Sequence, residues 1–192
     1  MKRTQIHQRQ IICNGYLRED GLWDIEACLT DTKSHPLKTA QRGIIPTGEK
    51  IHKIWLKLTL DDQLLIHQVE ARTEAAPFTS CAEVNASYKK LEGVKIASGW
   101  NRKVKQLFSG VKGCTHLNEL LPVVATSAIQ TIYPYRDMRP EITTSDEKSL
   151  NPVLHNSCHS FDLHGDIVKT YWPESYLDTN ERSKTVAGDR DS

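Results

Sequence analysis

The side chains best suited to chemistry in this sequence are thiols and imidazoles, five cysteines and eight histidines among 192 residues. Cys81 lies in Ser80-Cys81-Ala82-Glu83, which has the Ser-x-x-Glu form of a capping box, and Cys114 lies in Gly113-Cys114-Thr115-His116, just ahead of an apolar run. Both spacings predict a thiol at a helix N-terminus, where free backbone N–H groups and the helix dipole favour thiolate over thiol. His52 opens an alternating strand, and Cys158-His159 supplies a further sulfur and imidazole. Thiolate mixed with imidazole is a donor set for zinc or iron, so His52, Cys81, Cys114, Cys158 and His159 are the candidate metal ligands. The same residues admit a second chemistry, a thiol-dependent enzyme in which Cys114 is the nucleophile and His116 or His159 its activating imidazole. A third reading is structural: free cysteines are among the most buried residue types, and an interaction module would carry them as small apolar side chains. No C-x-x-C, H-E-x-x-H or glycine-rich phosphate loop occurs to decide among the three.

Positioning these residues falls to two hairpins and three helical stretches. Residues 10–30 contain two strand-like runs around Arg18-Glu19-Asp20-Gly21, a turn in which Asp-Gly supplies positive φ. From Ile51 to Leu60 the side chains of Ile54, Leu56, Leu58 and Leu60 share one face by period-2 alternation, with His52 on that same face, while Lys53, Trp55, Lys57 and Thr59 share the other. Asp61-Asp62-Gln63 turns the chain and Leu64 to Thr73 returns, a pairing that sets His52 roughly opposite Thr73 at the end where the chain departs toward Cys81. A helix is expected from Ser80, with Val84, Tyr88 and Leu91 on one stripe and Gly93 as its stop. A second is expected from about Gly99 to Phe108, carrying Trp100, Val104, Leu107 and Phe108. The third starts at Gly113-Cys114 and turns Leu117, Leu120, Leu121, Val124, Ala128, Ile129 and Ile132 inward, with Pro122 expected to kink or split it. Glu119 reads as an acid favoured by the helix dipole rather than as a base.

The sum is an α+β fold of antiparallel hairpins packed with two or three helices. One domain is expected over residues 1–177, with a core from about 9 to 133, a polar loop over 141–152, a strand-turn-strand segment over 153–176 around Leu163-His164-Gly165-Asp166, and a disordered tail over 178–192. Hydrophobic residues make up 38% and charged residues 26%, with a net charge of +1, and the cations are interspersed with acids. That pattern argues against nucleic acid or a membrane surface as partner. The start MKRTQIHQRQIIC lacks the apolar stretch of a signal peptide, and an odd cysteine count suits free thiols, so a cytoplasmic location is expected.

Several strings carry a resemblance: GYLREDGLWDIEACLTDTK, RGIIPTGEKIHKIWLKLTLDD, the Pro77 to Cys81 stretch, GVKIASGW, GCTHLNELLP and NSCHSFDLHGDIV. Together they resemble the bacterial family known as domain of unknown function 2889, over about residues 9 to 176. A second resemblance lies in element order over about residues 44 to 133, which is similar to the iron–sulfur cluster assembly scaffold proteins. It implies a zinc or nascent cluster held by cysteines with an acid or a histidine, and Cys81 and Cys114 match two of those cysteines. The position of the third, just before the first strand of the second hairpin, holds Glu49, Lys50 and His52 instead. The resemblance therefore implies a mononuclear site with His52 as substitute ligand.

Overall fold

The structure is a computed structural model that describes residues 1–139 and 149–178. Its strands are β1 (His7–Leu17), β2 (Trp23–Lys33), β3 (Leu37–Thr39), β4 (Gly43–Ile45), β5 (His52–Leu60) and β6 (Ile66–Ala75). Four of them form an antiparallel sheet in the order β1-β2-β5-β6, while β3 and β4 pair separately. The first hairpin closes as the sequence predicts: Gly21 has φ +82° and the Arg18 N–H donates to the Leu22 carbonyl at 2.8 Å. Period-2 alternation then fixes the inner face, burying Trp23, Ile25, Ala27 and Leu29 of β2 against Ile54, Leu56, Leu58 and Leu60 of β5. Thr59 departs from the pattern; it is buried on the other face, where its hydroxyl donates to Asp24 Oδ1 at 2.6 Å.

The return register of the second hairpin differs from the expectation. Asp61 Oδ1 accepts from the N–H groups of Gln63 and Leu65, and Leu64 takes φ +63°, so the turn is longer and β6 begins at Ile66. Thr73 consequently pairs with Ile54 rather than with His52, and a register shift follows between Lys53 and Ile54. The cross-strand neighbour of His52 is Asp31 on β2.

The helix expected from Ser80 is instead two 3₁₀ segments, Thr79–Ala82 and Asn85–Leu91, and no side-chain cap forms at the first. The buried residues of the second segment, Tyr88 and Leu91, are three apart, which is the 3₁₀ repeat. Helices α1 (Trp100–Phe108) and α2 (Thr115–Asp137) follow as predicted. Trp100, Val104 and Phe108 recur every four residues on the inner stripe of α1, and α2 buries Leu117, Leu120, Leu121, Val124, Ala128 and Ile132. Pro122 is exposed and does not split α2.

The chain divides into two compact units, Met1–Tyr135 and Arg136–Ser192. Among its described residues the second unit contains no strand, which corrects the strand-turn-strand expectation. The Gly165 N–H closes a turn on the Asp162 carbonyl, and α3 (Asp166–Tyr171) starts at once, its Lys169 N–H donating to the Gly165 carbonyl. Leu150, Leu163 and Val168 form a small core there with Leu154, Phe161, Trp172 and Tyr176 around it. Most of the polar loop and all but the first residue of the expected tail lie outside the described residues. Among the described residues, no helix is long and apolar enough to cross a membrane.

Candidate functional site

The alternation that buries Trp23, Ile25, Ala27 and Leu29 continues one step further, to Asp31, and places a carboxylate where an apolar residue belongs. Asp31 is only 1% exposed, and a buried carboxylate is tolerable only when its charge is met. Neighbouring strands meet it. Arg9 faces Asp31 across β1 and β2, with Nε 2.8 Å from Oδ1 and Nη2 2.8 Å from Oδ2, while His7 Nε2 lies 3.2 Å from Oδ1. From β5, the Nδ1–H of His52 donates to Oδ2 at 2.9 Å. The first turns of α2 bring His116, whose Nε2 is 3.6 Å from Oδ2, and Glu119, which takes the second arm of Arg9. The His52 and His116 rings lie against one another with centroids 3.9 Å apart and planes tilted by 33°.

Electrostatics follow from this packing. Burial works to raise the Asp31 pKa, but the guanidinium of Arg9 and the imidazole of His52 outweigh it and hold the carboxyl below the usual carboxylate range. Arg9 is raised in turn, chiefly by its hydrogen bonds to Asp31. Burial, and next the neighbouring His116, lower the His52 pKa, with Asp31 opposing them. His52 is thus neutral at neutral pH.

Cys114 occupies the N-cap of α2, since its carbonyl accepts the first helical bond, from the Asn118 N–H at 2.9 Å. Its own N–H donates to the Tyr88 hydroxyl at 2.9 Å, and that hydroxyl donates to Asn118 Oδ1 at 2.7 Å. Burial pushes the Tyr88 phenol up to about 12, so it keeps the proton it donates. Gly113 must be glycine here because a Cβ would lie 2.5 Å from the Phe108 carbonyl oxygen. So anchored, Cys114 Sγ lies 3.8 Å from His116 Nδ1. Burial works to raise the thiol pKa, but His116 and the N–H groups of Leu117 and His116 lower it overall.

Among the described residues, Asp31, His52 and His116 offer ligand atoms that all lie within 4.8 Å of one another. The oxygen-to-nitrogen separations of 2.9 and 3.6 Å bracket the roughly 3.3 Å edge of a tetrahedral site with bonds of about 2.0–2.1 Å. One carboxylate and two imidazoles are a donor set for zinc or iron. Charge agrees with a cation: the carboxylates of Asp31 and Glu119 outnumber the single guanidinium of Arg9.

Of the residues singled out from sequence, His52 belongs to this group and Cys114 stands beside it, on the Nδ1 side of His116. His116, read there as an activating imidazole, is itself in the group. Cys81 sits half-buried in the Thr79–Ala82 turn, outside the group, and Cys158 and His159 are exposed in the second unit. All five cysteines are free thiols. Sequence reasoning missed Asp31, Arg9 and His7. The signal for Asp31 was present in the alternation of β2, where one acid interrupts an apolar series.

A family described as a protein of unknown function, DUF2889, matches residues 7–130. No curated protein and no solved structure matches the chain, so none supports the likeness to iron–sulfur scaffold proteins, and the helix it expects after Cys81 is replaced by 3₁₀ segments.

Proposed function

The chain belongs to the DUF2889 family of unknown function, and from that premise we propose that it binds one zinc or iron ion through Asp31, His52 and His116. The observation that carries this reading is the convergence of two imidazoles on a buried carboxylate at ligand spacing. Burial keeps His52 neutral, the form that ligates, and the ion replaces the proton His52 shares with Asp31. The two nitrogens of an imidazole point to opposite sides of the ring, so a His116 that ligates through Nε2 presents Nδ1–H to Cys114 Sγ. The sulfur then fixes the tautomer and the ring orientation from outside the coordination shell. Three protein ligands leave a fourth position for water or for a substrate atom.

Metal analysis of protein purified without a histidine tag tests this. About one equivalent of zinc or iron is expected, lost in His52→Ala and His116→Ala. Cys81→Ser, Cys158→Ser and His159→Ala should each leave the metal in place. Metal-free protein that takes up neither ion on titration would refute the proposal.

A second reading is favoured by one specific contact, the 3.8 Å approach of Cys114 Sγ to His116 Nδ1, with the thiol pKa lowered and Asp31 on the far side of the ring. That is the order nucleophile, base and orienting carboxylate. In this reading Cys114 alkylates faster than the other thiols in metal-free protein, and His116→Gln slows it. Equal rates would remove it.

A further inference from the structure

The four-stranded sheet has two edges, and they are finished differently. Beyond β6 the edge is closed. The Ile66 N–H donates to the Val94 carbonyl, the Gly93 N–H to the Ile66 carbonyl, the Val69 N–H to Glu92 and the Thr73 hydroxyl to Asn85. Pairing with β5 also shifts register at both ends. On the other side, among the described residues, no strand lies beyond β1. β1 is eleven residues long, pairs with β2 without a register shift, and contains no lysine and no proline. Its two basic side chains, His7 and Arg9, are turned to Asp31. Of the devices that normally blunt a sheet edge, β1 has, among the described residues, neither short length, lysine, proline nor a bulge, and the one it carries is the inward-pointing charge of Arg9.

The backbone of that edge is available at known positions. The Arg18 N–H bonds to the Leu22 carbonyl and the Ser34 N–H to the Ile6 carbonyl, so even-numbered residues of β1 bond toward β2. Odd-numbered residues therefore present N–H and C=O outward. Ile12 and Tyr16 on one face of the strand are 60% and 49% exposed, and Ile11 and Leu17 on the other are 37% and 44% exposed.

We infer that β1 pairs antiparallel with β1 of a second copy of this chain, joining two four-stranded sheets edge to edge about a twofold axis at Ile12. In that register Ile11 lies opposite Cys13, Arg9 opposite Gly15 and His7 opposite Leu17 of the other copy. Odd residues meet odd, so outward donors face outward acceptors at every hydrogen-bonded pair of the strand. Charge selects a second copy as occupant. Beyond the strand, the Lys2-Arg3 end of one copy runs beside Glu19 of the other, whose neighbour Asp20 is already held by Arg18 of its own turn, and twofold symmetry makes this attraction twice. Ile12 faces its own counterpart in a non-hydrogen-bonded pair, the closer of the two antiparallel spacings.

Sedimentation equilibrium of the full chain over a concentration series tests this. A monomer–dimer equilibrium is expected, shifted to monomer by Ile12→Glu, which sets two carboxylates opposite each other on an exposed position with an unchanged circular dichroism spectrum. A second variant does not depend on that outcome. Ile12→Cys in a Cys158→Ser background should form a disulfide-linked dimer under mild oxidation, because self-paired Cβ atoms at the axis are within disulfide reach. Gln8→Cys in the same background should not, since residue 8 lies opposite Tyr16. A chain that stays monomeric leaves the edge to some other partner and overturns the proposal. So does a dimer that Ile12→Glu leaves intact, or an Ile12→Cys variant that cross-links no better than Gln8→Cys.

Discussion

Asp31 organises its neighbours through one elementary fact: a carboxylate taken out of water must be met by donors. Arg9, His7 and His52 answer from the flanking strands and His116 from a helix. Asp31→Asn leaves Arg9 with Glu119 as its one carboxylate partner, and a loss of about 1.5–3 kcal/mol is expected in denaturant unfolding, the range for hydrogen bonds to charged groups. The pH dependence has a definite sign. His52 has a folded pKa below its unfolded value, so the unfolded chain binds more protons in the window between them. Stability of metal-free protein should therefore fall as pH drops through about 6.5, the unfolded histidine value, and level off below the folded pKa. The depressed Asp31 carboxyl acts in the same direction at lower pH: its contribution is present above about 3.9 and lost as pH falls through its folded pKa. Melting temperatures measured from pH 8 to pH 3 check both steps, and His52→Gln should remove the upper one and, by taking the imidazole from Asp31, shrink the lower.

At the scale of elements, strand alternation and helix termini do the positioning. Leu56 and Leu58 are buried and Lys57 is not, so Leu56→Asp or Leu58→Asp should unfold the first unit, whereas Lys57→Asp should leave it folded. Circular dichroism separates the cases. Gly113→Ala should strain the start of α2 against the Phe108 carbonyl and cost about 1–3 kcal/mol, with Cys114 displaced from His116. Loss of stability without any change in Cys114 alkylation would disconnect that turn from the site.

These elements also show what the sequence made legible. The Asp-Gly hairpin, the even-numbered face of β5 and the inner stripes of α1 and α2 follow from local periodicity, which a single chain displays. The site depends on register between strands distant in sequence, and register was misjudged where Leu64 adopts a left-handed conformation and lengthens the turn. Reading His52 against Thr73 instead of Asp31 hid the carboxylate and drew attention to the cysteines. The 3₁₀ form of residues 79–91 was hidden because a Ser-x-x-Glu string fits a capping box whether or not a helix follows.

For the molecule as a whole, the site is the work of the first unit: β1, β2 and β5 lay Arg9, Asp31 and His52 side by side, and α2 supplies His116. All five thiols should titrate in denaturant without reductant, matching five free cysteines; recovery of three would reveal a disulfide. The central claim concerns what the buried carboxylate and its two imidazoles hold. X-ray absorption at the zinc or iron edge of the loaded protein reads that shell directly. Nitrogen and oxygen neighbours at about 2.0–2.1 Å with imidazole scattering are predicted, disappearing in His116→Ala. A shell dominated by sulfur near 2.3 Å, or a metal environment unchanged in His52→Ala and His116→Ala, would contradict it.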